Sequence, residues 1–268
     1  MKARVFILVI TVGGILIGCN GDGGVTPQTP VPGYIWEVWT GFSESDPDRP
    51  PLVSIDRYSA EDGSESYPNK GSAHASNSES SYGYGVGYDA AYGDGRVWAA
   101  GVKIEVHGDI QHSTYGIWER GVDFFETERV EGLTYDGEYL WGSYGSDFYR
   151  IDPNTYECEL MFTFGDGTKE FVGLAWDGEY LWGLAEGEAI KIDPETGSEV
   201  RSVTCPGGTN AGLTWGGKYL WVNDLDLNGS IYRFSPVDGT LLQVLDTGKS
   251  ELFWAGGLAY EPEGDSAK

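Results

Sequence analysis

The sequence says one phrase three times. Gly132-Leu-Thr-Tyr-Asp-Gly-Glu-Tyr-Leu-Trp141 returns as Gly173-Leu-Ala-Trp-Asp-Gly-Glu-Tyr-Leu-Trp182 and again as Gly212-Leu-Thr-Trp-Gly-Gly-Lys-Tyr-Leu-Trp221. The leading glycines stand 41 and 39 residues apart. A period near 40 built only from strand-like segments is the mark of a β-propeller, with one four-stranded blade per copy. Such a fold confines function to the channel mouth or to the loops of one face.

The copy from Val172 to Val203 shows why each piece is a strand. Gly173–Trp176, Tyr180–Gly183, Ala189–Ile192 and Glu199–Val203 are short runs set off by Asp177-Gly178 and by Asp193-Pro-Glu-Thr-Gly197. Asp-Gly and Pro-x-x-Gly are turn chemistry, because Gly accepts positive φ and Pro pre-sets it. Leu174, Trp176, Tyr180 and Trp182 face one way, Ala175 and Leu181 the other, so both faces are apolar. A sheet packed between two neighbours needs that pattern.

Tyr92-Gly-Asp-Gly-Arg-Val-Trp98 matches Tyr135 to Trp141 and places a blade from about Tyr84 to Thr127. Near the start, Gly33-Tyr-Ile-Trp36 reads as a second strand and Leu52–Asp56 as a third, followed by a turn at Asp62-Gly63. That blade lacks a first strand, and the chain ends with a first strand that no blade follows, Gly256-Gly-Leu-Ala-Tyr260. The two halves are expected to pair and to close an all-β, five-bladed ring with no open edge. An irregular six, or a ring completed by a partner chain, is the other reading. The expected organisation is a signal at 1–18, a tether at 19–32, the propeller at 33–264 and a tail at 265–268. Residues 64–88, rich in Ser, Gly and Tyr, are expected as a long, partly disordered connection.

Lys2 and Arg4 precede the apolar run Val5–Ile17, which is too short to span a bilayer as a helix and suits a secretory signal. Leu16-Ile17-Gly18-Cys19 resembles the bacterial lipoprotein signal, which implies cleavage before Cys19 and a lipid on that cysteine. The expected address is the cell envelope: the outer membrane, on its periplasmic face or at the cell surface. Against 17 basic residues stand 42 acidic ones, a net charge of −25. That surface repels nucleic acid and anionic lipid headgroups. It is read first as serving solubility, and otherwise as suiting a saline habitat or attracting divalent cations.

Candidate site residues follow from the frame. Those just before the innermost strands, Glu131, Phe171, Asn210 and Trp254, are expected at the channel mouth, the aromatics either meeting a ligand or packing between blades. The longer connections at that end are Thr40–Pro51, Gly101–Tyr115, Gly165–Phe171, Asn223–Gly229 and Thr247–Trp254. Asp224-Leu-Asp226-Leu-Asn228-Gly229 matches the first half of a calcium loop, whose twelfth position here is Ser235 in place of the usual Glu. It reads either as a calcium site or as a polar turn. Cys158 and Cys205 are either two free thiols or a disulfide. His74, His107 and His112 show no zinc spacing, and no Ser-His-Asp constellation is legible.

The repeats resemble bacterial propeller repeats of the type Gly-Leu-x-Trp-Asp-Gly-x-x-Leu-Trp with Ile-Asp-Pro-x-Thr-Gly. Glu131-Gly-Leu-Thr134 also resembles a strand of the five-bladed plant-type glutamine cyclotransferases. That resemblance implies a channel carboxylate, Glu131, moving protons as an N-terminal glutamine closes to pyroglutamate. Phe171-Val-Gly-Leu174 and Asn210-Ala-Gly-Leu213 depart from the family pattern. The expectations are therefore a lipid-anchored binding or scaffolding module for a peptide, glycan or protein, a cyclotransferase-like enzyme, or a structural envelope component.

Overall fold

The computed structural model describes residues 32–41, 52–62, 64, 71–73, 81–107, 110–119, 124–208, 210–224, 230–247 and 253–264. The expected signal, Cys19 and nearly all of the expected tether lie outside them. Among the described residues twenty strands form five four-stranded antiparallel sheets. Blade 1 joins β20 (Phe253–Pro262), β1 (Gly33–Gly41), β2 (Leu52–Ser59) and β3 (Gly71–Ala73). Blade 2 is β4 (Ser81–Gly93), β5 (Arg96–His107), β6 (Ile110–Glu119) and β7 (Phe124–Glu126). Blade 3 is β8 (Gly132–Tyr135), β9 (Leu140–Tyr144), β10 (Asp147–Ile151) and β11 (Cys158–Thr163). Blade 4 is β12 (Gly173–Trp176), β13 (Leu181–Ala185), β14 (Glu188–Ile192) and β15 (Glu199–Thr204). Blade 5 is β16 (Asn210–Gly216), β17 (Tyr219–Asp224), β18 (Ser230–Phe234) and β19 (Leu241–Leu245). The C-terminal β20 pairs with β1 from Gly33↔Pro262 to Gly41↔Phe253, so the ring closes as the half-blades require.

Two stretches differ from the sequence reading. Residues 64–88 contain β3 and the first half of β4, and residues 101–107 and 110–115 belong to the strands β5 and β6. The β4–β5–β6 ladder runs from Gly93↔Arg96 to Ser81↔His107, well beyond the other blades. Gly-rich composition hides a strand from a propensity reading, because pairing with a neighbour stabilises residues that would not choose it alone.

Each repeat carries its own hardware at the turn end. Asp136 Oδ1 accepts the Glu138 and Tyr139 N–H groups, and its Oδ2 accepts Trp141 Nε1 at 2.7 Å. Asp177 does the same for Glu179, Tyr180 and Trp182. The following glycines take φ of 105° and 101°, which L side chains avoid. In blade 1 the acceptor for Trp36 Nε1 is Glu261, and in blade 5 the acceptor for Trp221 Nε1 is the Gly216 carbonyl. These tryptophans are buried between blades. Each removes about 200 Å² from water, about 5 kcal/mol at 25 cal/mol per Å² as an upper bound.

A third-strand cation pairs opposite each of four tryptophans: Arg57 with Trp36, Arg150 with Trp141, Lys191 with Trp182 and Arg233 with Trp221. Each lies over the tyrosine two residues before that tryptophan, Tyr34, Tyr139, Tyr180 or Tyr219, at 4.0 to 5.0 Å. Blade 2 reverses the pair. Glu119 stands opposite Trp98, Arg96 takes the tyrosine's place, and the two form a fork at 2.8 and 2.7 Å.

At the axis the inner strands touch. A Cβ on Gly132 would meet Leu174 and Gly173; one on Gly173 would meet Gly212 and Leu213; one on Gly212 would meet Gly257 and Leu258. A Cβ on Gly257 would strike the Asp89 backbone. Asp89 holds the fifth place, where the other four blades have glycine. Its side chain is wholly buried and accepts the N–H groups of Leu133 at 2.7 Å, Leu174 at 3.0 Å and Leu258 at 3.2 Å. One carboxylate thus ties blade 2 to blades 3 and 4 and to the closing strand.

Candidate functional site

The Asp-Gly and Pro-x-x-Gly turns occupy one face, and the opposite face carries Gly145-Ser146 and the 164–172 connection. On that face lies a cleft of about 430 Å³, lined among others by Arg129, Glu131, Tyr144, Asp147, Thr163 and Glu170. Arg129 is its organiser. Its guanidinium lies 5.0 Å from the Tyr115 ring centre and 4.6 Å from that of Tyr144. Nη2 donates to Glu131 Oε1 at 2.5 Å and Nη1 to the Tyr144 hydroxyl at 3.3 Å. The Glu131 main-chain N–H donates to the Ser143 carbonyl, so β9 fixes this residue at the mouth. Thr163 Oγ1 donates to Asp147 Oδ1, and Ser146 Oγ to the Lys169 carbonyl, which fixes the far wall. One guanidinium against three carboxylates leaves the cleft negative. Burial pushes the nearby Tyr88 hydroxyl up in pKa, with Arg129 opposing.

Of the residues expected at the mouth, Glu131 is on the cleft wall. Phe171 is not available to a ligand: it is fully buried, edge-on to Phe148 and Phe164 at 5.0 and 5.1 Å. Its ring fills the space that Gly183 leaves open, so its role is packing between blades 3 and 4. Asn210 is half-buried and donates from Nδ2 to the Pro206 and Asn223 carbonyls, both at 3.1 Å, which commits its nitrogen to the loop, while its Oδ1 is buried with no hydrogen-bond partner among the described residues. Trp254 pairs through its backbone with Thr40, and its side chain lies outside the described residues. Asp224 is fully buried and accepts the Gly208 N–H at 3.1 Å. Asp226 and Asn228 lie outside the described residues. Among the described residues no group of three metal-ligating side chains occurs. Cys158 and Cys205 are free thiols, and burial pushes Cys205 up to about 12.

Sequence reasoning missed Arg129, Tyr115 and Tyr144, which lie outside the repeated phrase. It also missed Asp89, although a signal existed: aligning Tyr92 with Tyr135 sets Asp89 against Gly132. Burial raises the Asp89 carboxyl well above its ordinary pKa, while the N–H groups of Leu133, Leu174, Ala90 and Leu258 pull it down.

No family model and no curated protein matches the chain. Among solved structures, the Myxococcus xanthus glutaminyl cyclase aligns at a TM-score of 0.41 and 14% identity over 72% of this chain and 84% of its own. The WD40 β-propeller domain of Doa1 gives 0.40 and 10% identity over 73% and 79%. The computationally designed Ika8 protein gives 0.39 and 12% over 80% and 89%. Likeness at this level carries nothing about activity. The five-bladed ring rests on the chain's own strand order.

Proposed function

We propose that this chain is an exported, lipid-held binding module that presents the cleft face of its propeller to a peptide, glycan or protein partner. The observation that carries the reading is the cleft itself, a polar hollow on a rigid ring with a tyrosine-flanked guanidinium at its edge. Tyr144 is among the few large exposed side chains with apolar surface and offers a stacking face. The Leu16–Cys19 signal supports a lipid on Cys19 and a place in the cell envelope. A calcium ion at Asp224, Asp226 and Asn228 belongs to the same reading as an accessory of that face.

The test is capture on peptide and glycan arrays by the chain without residues 1–18, beside Tyr144→Ala and Arg129→Ala. A ligand whose binding falls at least tenfold in both variants, with melting unchanged, supports the reading. Binding that both variants retain would move the site elsewhere. No array ligand together with one stable co-purifying partner would make the protein an envelope component.

The cyclotransferase-like reading rests on Glu131, which does stand on the cleft wall. Its carboxylate is already engaged by Arg129, so general-base work would first have to release that pair. Pyroglutamate formation from Gln-initiated peptides, lost in Glu131→Gln, would make the protein an enzyme.

A further inference from the structure

The repeat supplies its own controls for a residue that no functional reading uses. At the turn end of each blade, a cation lies against the tryptophan, opposite it in four blades and two residues before it in blade 2, and needs an anionic partner. Blade 4 gives Lys191 the Asp177 carboxylate at 2.8 Å. Blade 1 gives Arg57 the Glu261 carboxylate at 3.3 Å. Asp177 and Glu261 occupy the same repeat position, just after the first strand. Blade 3 pairs Arg150 with Glu159 at 2.9 Å, and blade 2 pairs Arg96 with Glu119 at 2.7 Å.

Blade 5 breaks the rule. The position of Asp177 and Glu261 is Gly216 there, and the space above it is taken by the Tyr260 ring. Arg233 is nonetheless retained and is only 2% exposed. Its Nε and Nη1 groups are buried and have no hydrogen-bond partner among the described residues. The Tyr219 and Trp221 rings lie 5.0 and 5.5 Å away, and they serve the charge but not the N–H donors in the guanidinium plane. A buried guanidinium that keeps its proton and lacks a counter-charge is costly.

We propose that Arg233 holds a monatomic halide anion at the foot of blade 5, where the corresponding cations of blades 4 and 1 meet a carboxylate. The near-complete burial of the side chain selects a small anion over a carboxylate-bearing ligand. The site lies beside the closing strand, since Tyr260 belongs to β20 and stacks on Trp221 at 6.5 Å. Halide would therefore stabilise ring closure.

The experiment melts the full-length protein in sodium gluconate, acetate and bromide at equal ionic strength and locates bromide by its anomalous scattering in crystals. A saturable rise in Tm of about 3–8 °C in bromide alone, with a bromide peak in hydrogen-bonding reach of Nε or Nη1, is expected. Arg233→Met should abolish the rise, while Lys191→Met, the same position in blade 4, should keep it. Acetate matching bromide would transfer the site to carboxylate ligands and overturn the halide assignment. Equal melting in all three salts, or no peak at Arg233, would show that water serves these donors and would overturn the proposal, even where Arg233→Met fails to fold. The cleft face plays no part in any arm, so the outcome is independent of the binding reading.

Discussion

Glu261→Ala should weaken the ring far more than any surface ion pair. Glu261 sits on the closing strand and is fully buried. Its carboxylate accepts Trp36 Nε1 at 2.7 Å and Arg57 Nη1 at 3.3 Å, and the Arg57 side chain is 15% exposed. Truncation takes from a buried indole N–H and a nearly buried guanidinium the carboxylate they share. Breaking a buried pair from one side costs about 3–5 kcal/mol, because the surviving charge stays desolvated. For a domain of this size that is a fall in Tm of about 6–20 °C. Glu159→Ala is the internal control: Glu159 pairs with Arg150 at 2.9 Å but is 66% exposed, so its loss should cost about 0–1 kcal/mol. Urea unfolding followed by tryptophan fluorescence reads both variants. If the Glu261 and Glu159 variants unfold within 1 kcal/mol of each other, the reasoning from burial is wrong. If Glu261→Ala is weak and deletion of residues 254–268 is also silent, the closing strand is not what holds the ring.

Phe171→Ala should cost about 3–5 kcal/mol in urea unfolding and leave ligand capture at the cleft intact at low temperature, since the ring packs on Phe148 and Phe164. Gly257→Ala should prevent soluble expression of the folded ring, because the added methyl strikes the Asp89 main chain; a folded variant with native circular dichroism would refute the closed axis. The Asp62, Asp152, Asp166, Asp177 and Asp238 carboxyls are held below their ordinary pKa, mostly by turn N–H and hydroxyl donors and, in Asp177, by Lys191 and Trp182 against the opposing effect of burial. Their stabilisation is complete above about pH 4 and is lost as pH falls further, so Asp177→Asn should flatten the acid limb of a stability–pH curve. Asp89 has the opposite sign: a raised folded pKa favours the fold most in acid and loses that contribution as pH rises, so Asp89→Gly should destabilise more at pH 5 than at pH 8.

The fold was legible because its information is local and repeated. Trp141, Trp182 and Trp221 each follow a turn at the same spacing, and each lands between blades. The closure was legible from a missing first strand before Gly33 and a surplus one at Gly256–Tyr260, and β20 does pair with β1. The upper half of blade 2 was not legible. Tyr82-Gly-Tyr-Gly-Val-Gly87 has the composition of a connection, and only the ladder to β5 makes it a strand. Of the expected mouth residues whose side chains are described, Glu131 borders the cleft. Phe171 was placed in the right region, but sequence position cannot tell whether an aromatic at a strand entrance turns to the channel or between the sheets. Gly183 decides it by leaving room on the blade side. Arg129 carries no repeat signal, because its partners Tyr115 and Tyr144 come from β6 and β9 and meet only in the folded ring.

The axis is filled by the inner strands themselves. Four glycines bring the inner strands into contact, and contact on all five sides would leave no room for any side chain. Asp89 takes the fifth position and turns that crowding into three hydrogen bonds from three other inner strands. A through-channel is incompatible with that arrangement. A ligand that reaches the centre from the Glu131 side therefore meets a floor of backbone and one buried carboxylate already spent on N–H groups. Above that floor the proposed binding reading has Arg129 between its two tyrosines, Glu131, and the acidic wall of Asp147 and Glu170 to work with. The turn face has no comparable freedom, because Asp136, Asp177 and Glu261 are committed to indole N–H groups and, in two of those blades, to a cation. Among the described residues the Arg233 guanidinium has no such carboxylate, and that is where the proposed small anion would sit.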